Sequence, residues 1–202
     1  MSTLAAALTH PDVERIARSL RARPGRELTL DETWRRAAVS LVVRVDDARA
    51  LELLLIQRAA FHGDPWSGHV ALPGGRQEPG DASLEATAFR ETLEETGLDL
   101  ASSGRLLGRL DDLEPRTIAL PRLVIAPFVV VVGERPRLAL SDEVADAFWV
   151  PVSSLQDPAA TREVVLELQG GARAVSSFHH SGRIIWGLTE RILRDFLERL
   201  AE

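Results

Sequence analysis

The chain has 202 residues, of which 45% are hydrophobic and 27% charged, and its net charge is −6. This composition is typical of a globular chain that folds as one domain, with at most a terminal extension. The net negative charge provides no basic surface of the kind that binds nucleic acid. The chain has 24 Arg residues, and Lys, Tyr and Cys are absent. A Lys or Cys nucleophile, a Tyr base and a thiolate metal site are therefore excluded.

The location that the sequence predicts is the cytoplasm. No apolar stretch reaches the length of a membrane span, so no membrane partner is expected. Residues 1–9 lack the basic and then apolar regions of a signal peptide. The absence of Cys agrees with a reducing compartment.

The first half of the chain predicts one helix and several strands before a glycine turn, Pro73-Gly74-Gly75. In chain order the elements are a helix over 11–21, strands over 37–45 and 51–57, a loop over 59–67 and a short strand over 69–72. We expect residues 1–36 to form a helix and link that pack on a domain of residues 37–202.

The second half of the chain predicts a mixture of helices and strands. In chain order these are a helix over 81–96, strands over 106–113, 124–132 and 148–151, a hairpin of 164–168 with 183–186, and a closing helix over 188–201. The run 124–132 is apolar throughout, which is typical of an interior strand. Because helices and strands do not alternate regularly, the pattern favours α+β layers over a doubly wound parallel sheet.

The helix predicted over 81–96 carries an unusual group of acids. Asp81 is expected to cap its first turn, and Gly97 is expected to end it in the left-handed conformation. Four apolar residues recur at steps of three and four and predict the buried stripe: Ala82, Ala86, Phe89 and Leu93. On a different face, Glu91, Glu94 and Glu95 share an arc of roughly 100°.

Three like charges on one face repel each other, and two interpretations remain open. Such a helix on its own is more often a solvated surface. The glycine turn before it and Gly97 after it favour the alternative, a site for a hard divalent cation such as Mg²⁺, Mn²⁺ or Ca²⁺. Because protein-bound Mg²⁺ is usually completed by a substrate phosphate, a phosphate ester or anhydride is the predicted substrate class.

The stretch from Gly75 to Leu98 resembles the Nudix box, G-x5-E-x7-R-E-U-x-E-E-x-G-U, in which U is aliphatic. The box begins here at Gly75 and ends with RETLEETGL at residues 90–98. It differs in three ways: it is one residue longer, its early acid is Asp81, and Thr92 stands at an aliphatic position. The longer spacing with an Asp is similar to the coenzyme A diphosphatase branch of the Nudix family.

Two further segments resemble that branch. Residues 54–59 (LLIQRA), Gly68 and residues 72–75 (LPGG) are similar to its upstream signature, L-L-T-x-R-[SA]-x3-R-x3-G-x3-F-P-G-G. Residues 185–189 (IWGLT) are similar to its C-terminal segment. The signature's second Arg is missing, because residues 61–64 (FHGD) occupy that region. Ile56 and Leu72 also replace the signature's Thr and Phe.

The resemblance implies a Nudix-type α/β/α sandwich around a mixed β-sheet and a hydrolase that depends on Mg²⁺ or Mn²⁺. Transferred residue by residue, it implies that Glu91 and Glu95 are metal ligands and that Glu94 is a ligand or the base. The carbonyl of Gly74 is a further candidate ligand. Arg90 is expected to hold the glutamates in place, and Asp81 to support the loop or the outer metal shell.

A late acid is a second candidate for the base. Glu143, in the stretch SDEV before Trp149-Val150-Pro151, resembles a position that provides a base or ligand in some family members. The alternative for Glu143 is an ordinary acid of a surface loop. The pair His179-His180 has metal-ligating chemistry, but a surface hairpin turn is the favoured interpretation.

Four residues are candidates for binding the substrate: Arg58, Trp66, Arg76 and Arg116. Arg58 is expected to bind phosphate or to form a surface ion pair. Trp66 is expected either to stack on a base or pantetheine chain or to cover the core. Arg76 and Arg116, together with Arg122, are candidates to replace the signature's missing cation. Trp186 is expected to belong to the core.

Three functions remain open at this point. The first is hydrolysis of coenzyme A or acyl-coenzyme A to 3′,5′-ADP and a phosphopantetheine product. The second is the same chemistry on ADP-ribose, NADH, a dinucleoside polyphosphate or a (d)NTP. The third is an inactive Nudix-fold binding module, which retention of Glu91, Glu94 and Glu95 disfavours. The expected partner is a small nucleotide, and a homodimer is an open assembly state.

Overall fold

A mixed β-sheet with helices on both faces organises the chain. The computed structural model describes residues 3–31, 33–60, 67–115, 122–133, 136–168 and 171–202. In these ranges the main sheet has seven strands: β1 (Arg35–Val45), β2 (Leu51–Arg58), β3 (Val70–Ala71), β4 (Gly74–Arg76), β5 (Gly104–Arg109), β6 (Leu123–Val132) and β7 (Val144–Pro151). A second sheet comprises β8 (Thr161–Leu168), β9 (Gly171–His180) and β10 (Arg183–Trp186).

Six α-helices accompany these sheets in the described part of the chain. They are α1 (Leu4–Leu8), α2 (Pro11–Ala22), α3 (Leu84–Thr96), α4 (Leu100–Ser103), α5 (Val152–Gln156) and α6 (Gly187–Ala201), with a 3₁₀ turn at Pro158–Ala160. No helix in the described ranges is both long enough and apolar enough to cross a bilayer.

The longest strand, β1, lies in the interior of the main sheet. It pairs in parallel with β6, from Arg35 opposite Leu123 to Val43 opposite Val131. On its other side β1 pairs antiparallel with β2 and with β4, where Ala38 lies opposite Gly75. Because β5 covers the far side of β6, the apolar run predicted as an interior strand is confirmed as one.

Alternate residues of the strands are buried against different helices. The larger core joins strand residues such as Leu53 with Ile16 of α2 and Phe196 of α6. On the other face, Val42 and Leu54 pack with residues that follow α3. This three-layer arrangement is the α+β class with the α/β/α sandwich that the sequence predicted.

The predicted pairing of the late hairpin is wrong. Residues 164–168 and 183–186 do not pair, because β9 lies between them and pairs with β8 on one side and β10 on the other. The β9 sequence, GARAVSSFHH, has little apolar alternation, so its strand character was not apparent. His179 and His180 belong to this strand, and the turn follows them at Ser181 and Gly182.

The start of the acid-rich helix also differs from the prediction. Helix α3 begins at Leu84, and its cap is the Ser83 side chain, which accepts the N–H of Ala86 at 3.1 Å. Asp81 does not cap the helix. Gly97 ends the helix in the left-handed conformation, with φ of 69°, as predicted.

Of the predicted buried stripe of α3, Phe89 packs against the core, but the stripe as a whole is wrong. Leu93 is 47% exposed, and the buried positions include Ala88, Thr92 and Glu95 instead. The small and hydroxyl side chains allow the helix to approach the sheet closely, where the Thr92 hydroxyl donates to Ser40 at 2.8 Å. The Ser40 hydroxyl in turn donates to the carbonyl of Ala88 at 3.1 Å. This packing places the carboxylate of Glu95 on the buried side of the helix.

Candidate active site

The glycine turn and the last turn of α3 meet at Glu95. The Glu95 carboxylate is 6% exposed, and it accepts the backbone N–H of Gly74 at 2.9 Å. Burial raises the pKa of Glu95 to about 7. The charges of Glu91 and Glu143 act in the same direction, whereas the Gly74 N–H lowers this pKa. The charge of Arg58, whose Nη1 lies 4.0 Å from the carboxylate, also lowers it.

Glycine at position 75 creates the space for Glu91. A Cβ added to Gly75 would lie within 2.5 Å of the Glu91 carboxylate, closer than a real Cβ approaches another atom. Burial raises the pKa of Glu91, and the adjacent Arg90 lowers it. The turn and the helix therefore hold two carboxylates, those of Glu91 and Glu95, against the backbone of the turn.

Arg90 connects the helix to the loop before it. Its Nε and Nη2 donate to the two oxygens of Asp81 at 2.9 and 3.0 Å, and Nη2 also donates to the carbonyl of Arg76 at 3.0 Å. Its Nη1 lies 3.0 Å from both Glu91 and Glu94. The hydrogen bonds from Arg90 hold the pKa of Asp81 well below its usual range.

Asp81, which Arg90 holds, has a further partner, Thr87, that the sequence did not reveal. The Thr87 hydroxyl donates to Asp81 at 2.9 Å, and the backbone N–H of Glu78 donates to the same carboxylate at 2.9 Å. A Thr six residues after the early acid was the available signal. Because Asp81 receives donors from the loop, the helix and Arg90, it fixes the loop relative to the helix.

Glu143, the acid late in the chain, lies near Glu91 and Glu95. The loop before β7 is joined to the end of α3 by two backbone bonds, Ala139 N–H to Thr96 at 2.8 Å and Ser141 N–H to Glu95 at 3.1 Å. The charge of Glu143 contributes to the raised pKa values of both Glu91 and Glu95. The fold thus places the Glu143 side chain within electrostatic reach of the helix acids.

The other candidate residues have different positions. Arg76 is exposed at the end of β4, and its carbonyl accepts a hydrogen bond from Arg90. Arg122 pairs with Asp31 at 3.5 Å. Trp66 and Arg116 lie outside the described residues.

The donor chemistry of the cluster fits a hard divalent cation. Among the described residues, no three His, Cys, Asp or Glu side chains stand close enough together to form a ready metal site. Glu91, Glu94 and Glu95 nevertheless supply carboxylate oxygens, which Mg²⁺ and Mn²⁺ prefer. Burial, together with the charges of Glu91 and Glu143, raises the pKa of Glu95 despite the nearby positive charge of Arg58. A cation among these oxygens would favour the ionised form of Glu95.

Gly75→Ala is expected to lower turnover by about 100-fold with little effect on stability. The added Cβ displaces the flexible carboxylate of Glu91 rather than the backbone, and displacements of about 1 Å have such effects in active sites. Gly80→Ala is the matched control, because a Cβ at Gly80 meets nothing within 4 Å. Steady-state kinetics and thermal unfolding of both variants test this. Equal activity of the two variants would show that the close approach has no catalytic role.

A family model, a sequence relative and a solved structure are similar to this chain. The NUDIX domain family matches residues 34–168. The uncharacterized Nudix hydrolase NudL of Yersinia pestis is 31% identical over 170 residues, which are 84% of this chain and 81% of that protein. A MutT/nudix family protein of Enterococcus faecalis, 21% identical, superposes with a TM-score of 0.58 over 87% of this chain and 65% of that one, which supports the fold.

A second relative is much longer than the chain. An uncharacterized protein of Schizosaccharomyces pombe is 38% identical over 119 residues, which are 57% of this chain. The match spans only 36% of that relative's length. The domain match and the similarity to the bacterial relative show that this chain belongs to the Nudix hydrolase family.

Proposed function

We propose that the protein hydrolyses the diphosphate linkage of coenzyme A or acyl-coenzyme A with Mg²⁺ or Mn²⁺. The products are 3′,5′-ADP and 4′-phosphopantetheine or its acyl derivative. The observation that carries the reaction class is the pair of carboxylates, Glu91 and Glu95, held against the glycine turn. The substrate rests on the resemblance of residues 54–59, 72–75 and 185–189 to the coenzyme A diphosphatase branch.

Nudix hydrolases generally use divalent metal ions. In this proposal Glu91 and Glu95 hold the cation, with Glu94 and the carbonyl of Gly74 as further ligands. When bound, the cation neutralises the diphosphate and polarises the attacking water. Arg90 keeps Glu91 and Glu94 in position through the ion pairs described above.

Two residues compete for the role of general base. Glu94 is the most exposed of the three helix acids, with 58% of its side chain accessible, so water reaches it freely. Glu143 approaches from the loop before β7. The base takes one proton from water as the water oxygen bonds to one phosphorus. The bond from that phosphorus to the bridging oxygen breaks, and the bridging oxygen leaves with the other phosphate.

Cationic side chains complete the proposed binding site. Arg58 lies beside Glu95 and is the proposed contact for a diphosphate oxygen. Arg76, exposed at the end of the turn, is a proposed contact for the 3′-phosphate. Trp66 and Arg116 remain candidates for the same substrate. The proposal includes a cytoplasmic location and allows for a homodimer.

Product analysis tests the substrate. Coenzyme A, NADH, ADP-ribose and a mixture of nucleotides are incubated with the protein and Mg²⁺ or Mn²⁺, and products are identified by mass spectrometry. We expect 3′,5′-ADP from coenzyme A at a rate well above the turnover of the others. Turnover of another nucleotide without cleavage of coenzyme A would preserve the reaction class and refute the substrate. No turnover of any of them would favour the inactive binding module.

A further inference from the structure

Two distant segments that resemble the coenzyme A diphosphatase branch meet at one cavity. We call it the sheet pocket. It has a volume of about 400 Å³, within the ordinary range for small-ligand sites. Its lining includes Gln57, His69, Leu166, Arg183, Ile184 and Trp186. Gln57 lies within the upstream signature and Trp186 within the C-terminal segment. The Thr189 hydroxyl, which donates to the carbonyl of Val70 at 3.2 Å, holds the two segments together.

The walls of the sheet pocket combine apolar and aromatic side chains with polar groups. The rings of His69 and Trp186 meet edge to face, with centroids 4.8 Å apart. Ile184 is 37% exposed, although large aliphatic side chains are usually more deeply buried. The Gln57 side chain adds an amide that donates to the carbonyl of Gly68 at 3.3 Å. Such a surface suits a chain that combines methylene groups with neutral amides.

The charge of the sheet pocket does not favour a phosphate. Its guanidinium, that of Arg183, forms an ion pair with Asp146. The same guanidinium stacks on the ring of Phe148, 4.1 Å from the centroid. Because Asp146 offsets the charge of Arg183 and Phe148 covers one face of its guanidinium, the pocket attracts a phosphate less than an unpaired guanidinium would. An uncharged ligand group fits these walls better.

The sheet pocket lies at the same strand end as the carboxylates. At the end of β2 the side chain of Arg58 lies 4.0 Å from Glu95, while that of its neighbour Gln57 lines the pocket. The N–H of Arg58 also donates to the carbonyl of His69 at 3.0 Å. Arg58 and Gln57, adjacent in β2, therefore connect the acid cluster with the wall of the pocket.

We propose that the sheet pocket binds the uncharged, amide-containing arm of the substrate, the pantetheine side of the diphosphate. This inference rests on the proposed function. The diphosphate lies at Glu91 and Glu95, and the arm extends past Arg58 and Gln57 to Trp186 and Ile184. The pocket thus determines substrate specificity and takes no part in the bond cleavage.

Aspartate substitutions test the sheet pocket. Ile184→Asp and Leu166→Asp place a charge where the uncharged arm is proposed to lie, on two different strands. Val165→Asp is the matched control, because Val165 is 70% exposed and, next to Leu166 on β8, points to the opposite face. Thermal unfolding confirms that each variant is folded. KM and kcat are measured with coenzyme A, and binding of 4′-phosphopantetheine is measured by calorimetry on the metal-free protein.

We expect the two pocket variants to raise KM for coenzyme A about tenfold, with kcat within about twofold of the unmodified protein. The dissociation constant of 4′-phosphopantetheine is expected to rise similarly, while Val165→Asp changes neither quantity. If coenzyme A is cleaved and both pocket variants behave like the control, the sheet pocket is not the arm site and the proposed function stands. If the unmodified protein does not cleave coenzyme A, the proposed function fails and this inference fails with it.

Discussion

Glu91→Gln and Glu95→Gln are each expected to lower kcat by roughly 100- to 1,000-fold while the protein remains folded. Each change removes one anionic oxygen donor from the proposed cation site and keeps the size of the side chain. A catalytic metal ion contributes several kcal/mol to the transition state, which corresponds to losses of this size. In Glu95→Gln the amide oxygen still accepts the N–H of Gly74, so the turn keeps its hydrogen bond. Single-turnover kinetics at saturating Mg²⁺ measure the effect.

A control on the same helix separates the site from the helix itself. Glu85→Gln removes one negative charge from the first turn of α3, away from the acid cluster. It is expected to leave kcat within about twofold of the unmodified protein, because surface charges have small effects. If the Glu91 and Glu95 variants both kept their activity, the assignment of the metal site to α3 would be wrong.

The features that the sequence predicted well were local. The run 124–132 is continuously apolar, and Gly97 interrupts a helical pattern. The interior strand and the end of the helix were therefore predictable without tertiary information. The acids of α3 follow the helical period, and this spacing alone places Glu91 and Glu95 on one face.

The predictions that failed depended on tertiary packing. The apolar stripe of α3 was assigned by hydrophobicity, but the helix packs on the sheet through Thr92, whose hydroxyl donates to Ser40 at 2.8 Å. Strand β9 forms because β8 and β10 flank it, although its own sequence is polar. Tertiary partners override local propensity in both cases.

The candidate site also depends on tertiary packing that the sequence does not reveal. Its acids and glycines lie within one stretch of sequence, but the neighbours that set their charge come from elsewhere. Arg58 reaches Glu95 from the end of β2, and Glu143 acts on it from the loop before β7. The family resemblance named both residues as candidates, whereas their proximity to Glu95 follows from the fold of the sheet.

The metal-free protein is expected to lose ~3 kcal/mol of stability as the pH rises from 4.5 to above 7, because Glu95 is buried. The folded protein has a Glu95 pKa of about 7, against 4.5 for an unperturbed Glu, so it binds this proton more tightly than the unfolded chain. The stabilisation of the folded protein by the proton on Glu95 is complete below pH 4.5 and disappears as the pH passes 7. Glu91, whose pKa is also raised, acts in the same direction. Denaturant unfolding with EDTA at several pH values measures this loss.

Two comparisons isolate Glu95 as the cause. Glu95→Gln, which cannot ionise, is expected to flatten the decline and to be more stable than the unmodified protein at pH 8. Asp81 does not interfere, because its pKa is lowered and its titration falls below pH 3.8. Added Mg²⁺ or Mn²⁺ is expected to restore stability at pH 8, since a ligand that binds only the folded state stabilises it. An equally steep decline in Glu95→Gln would assign the effect to another group and refute the raised pKa of Glu95 as its cause.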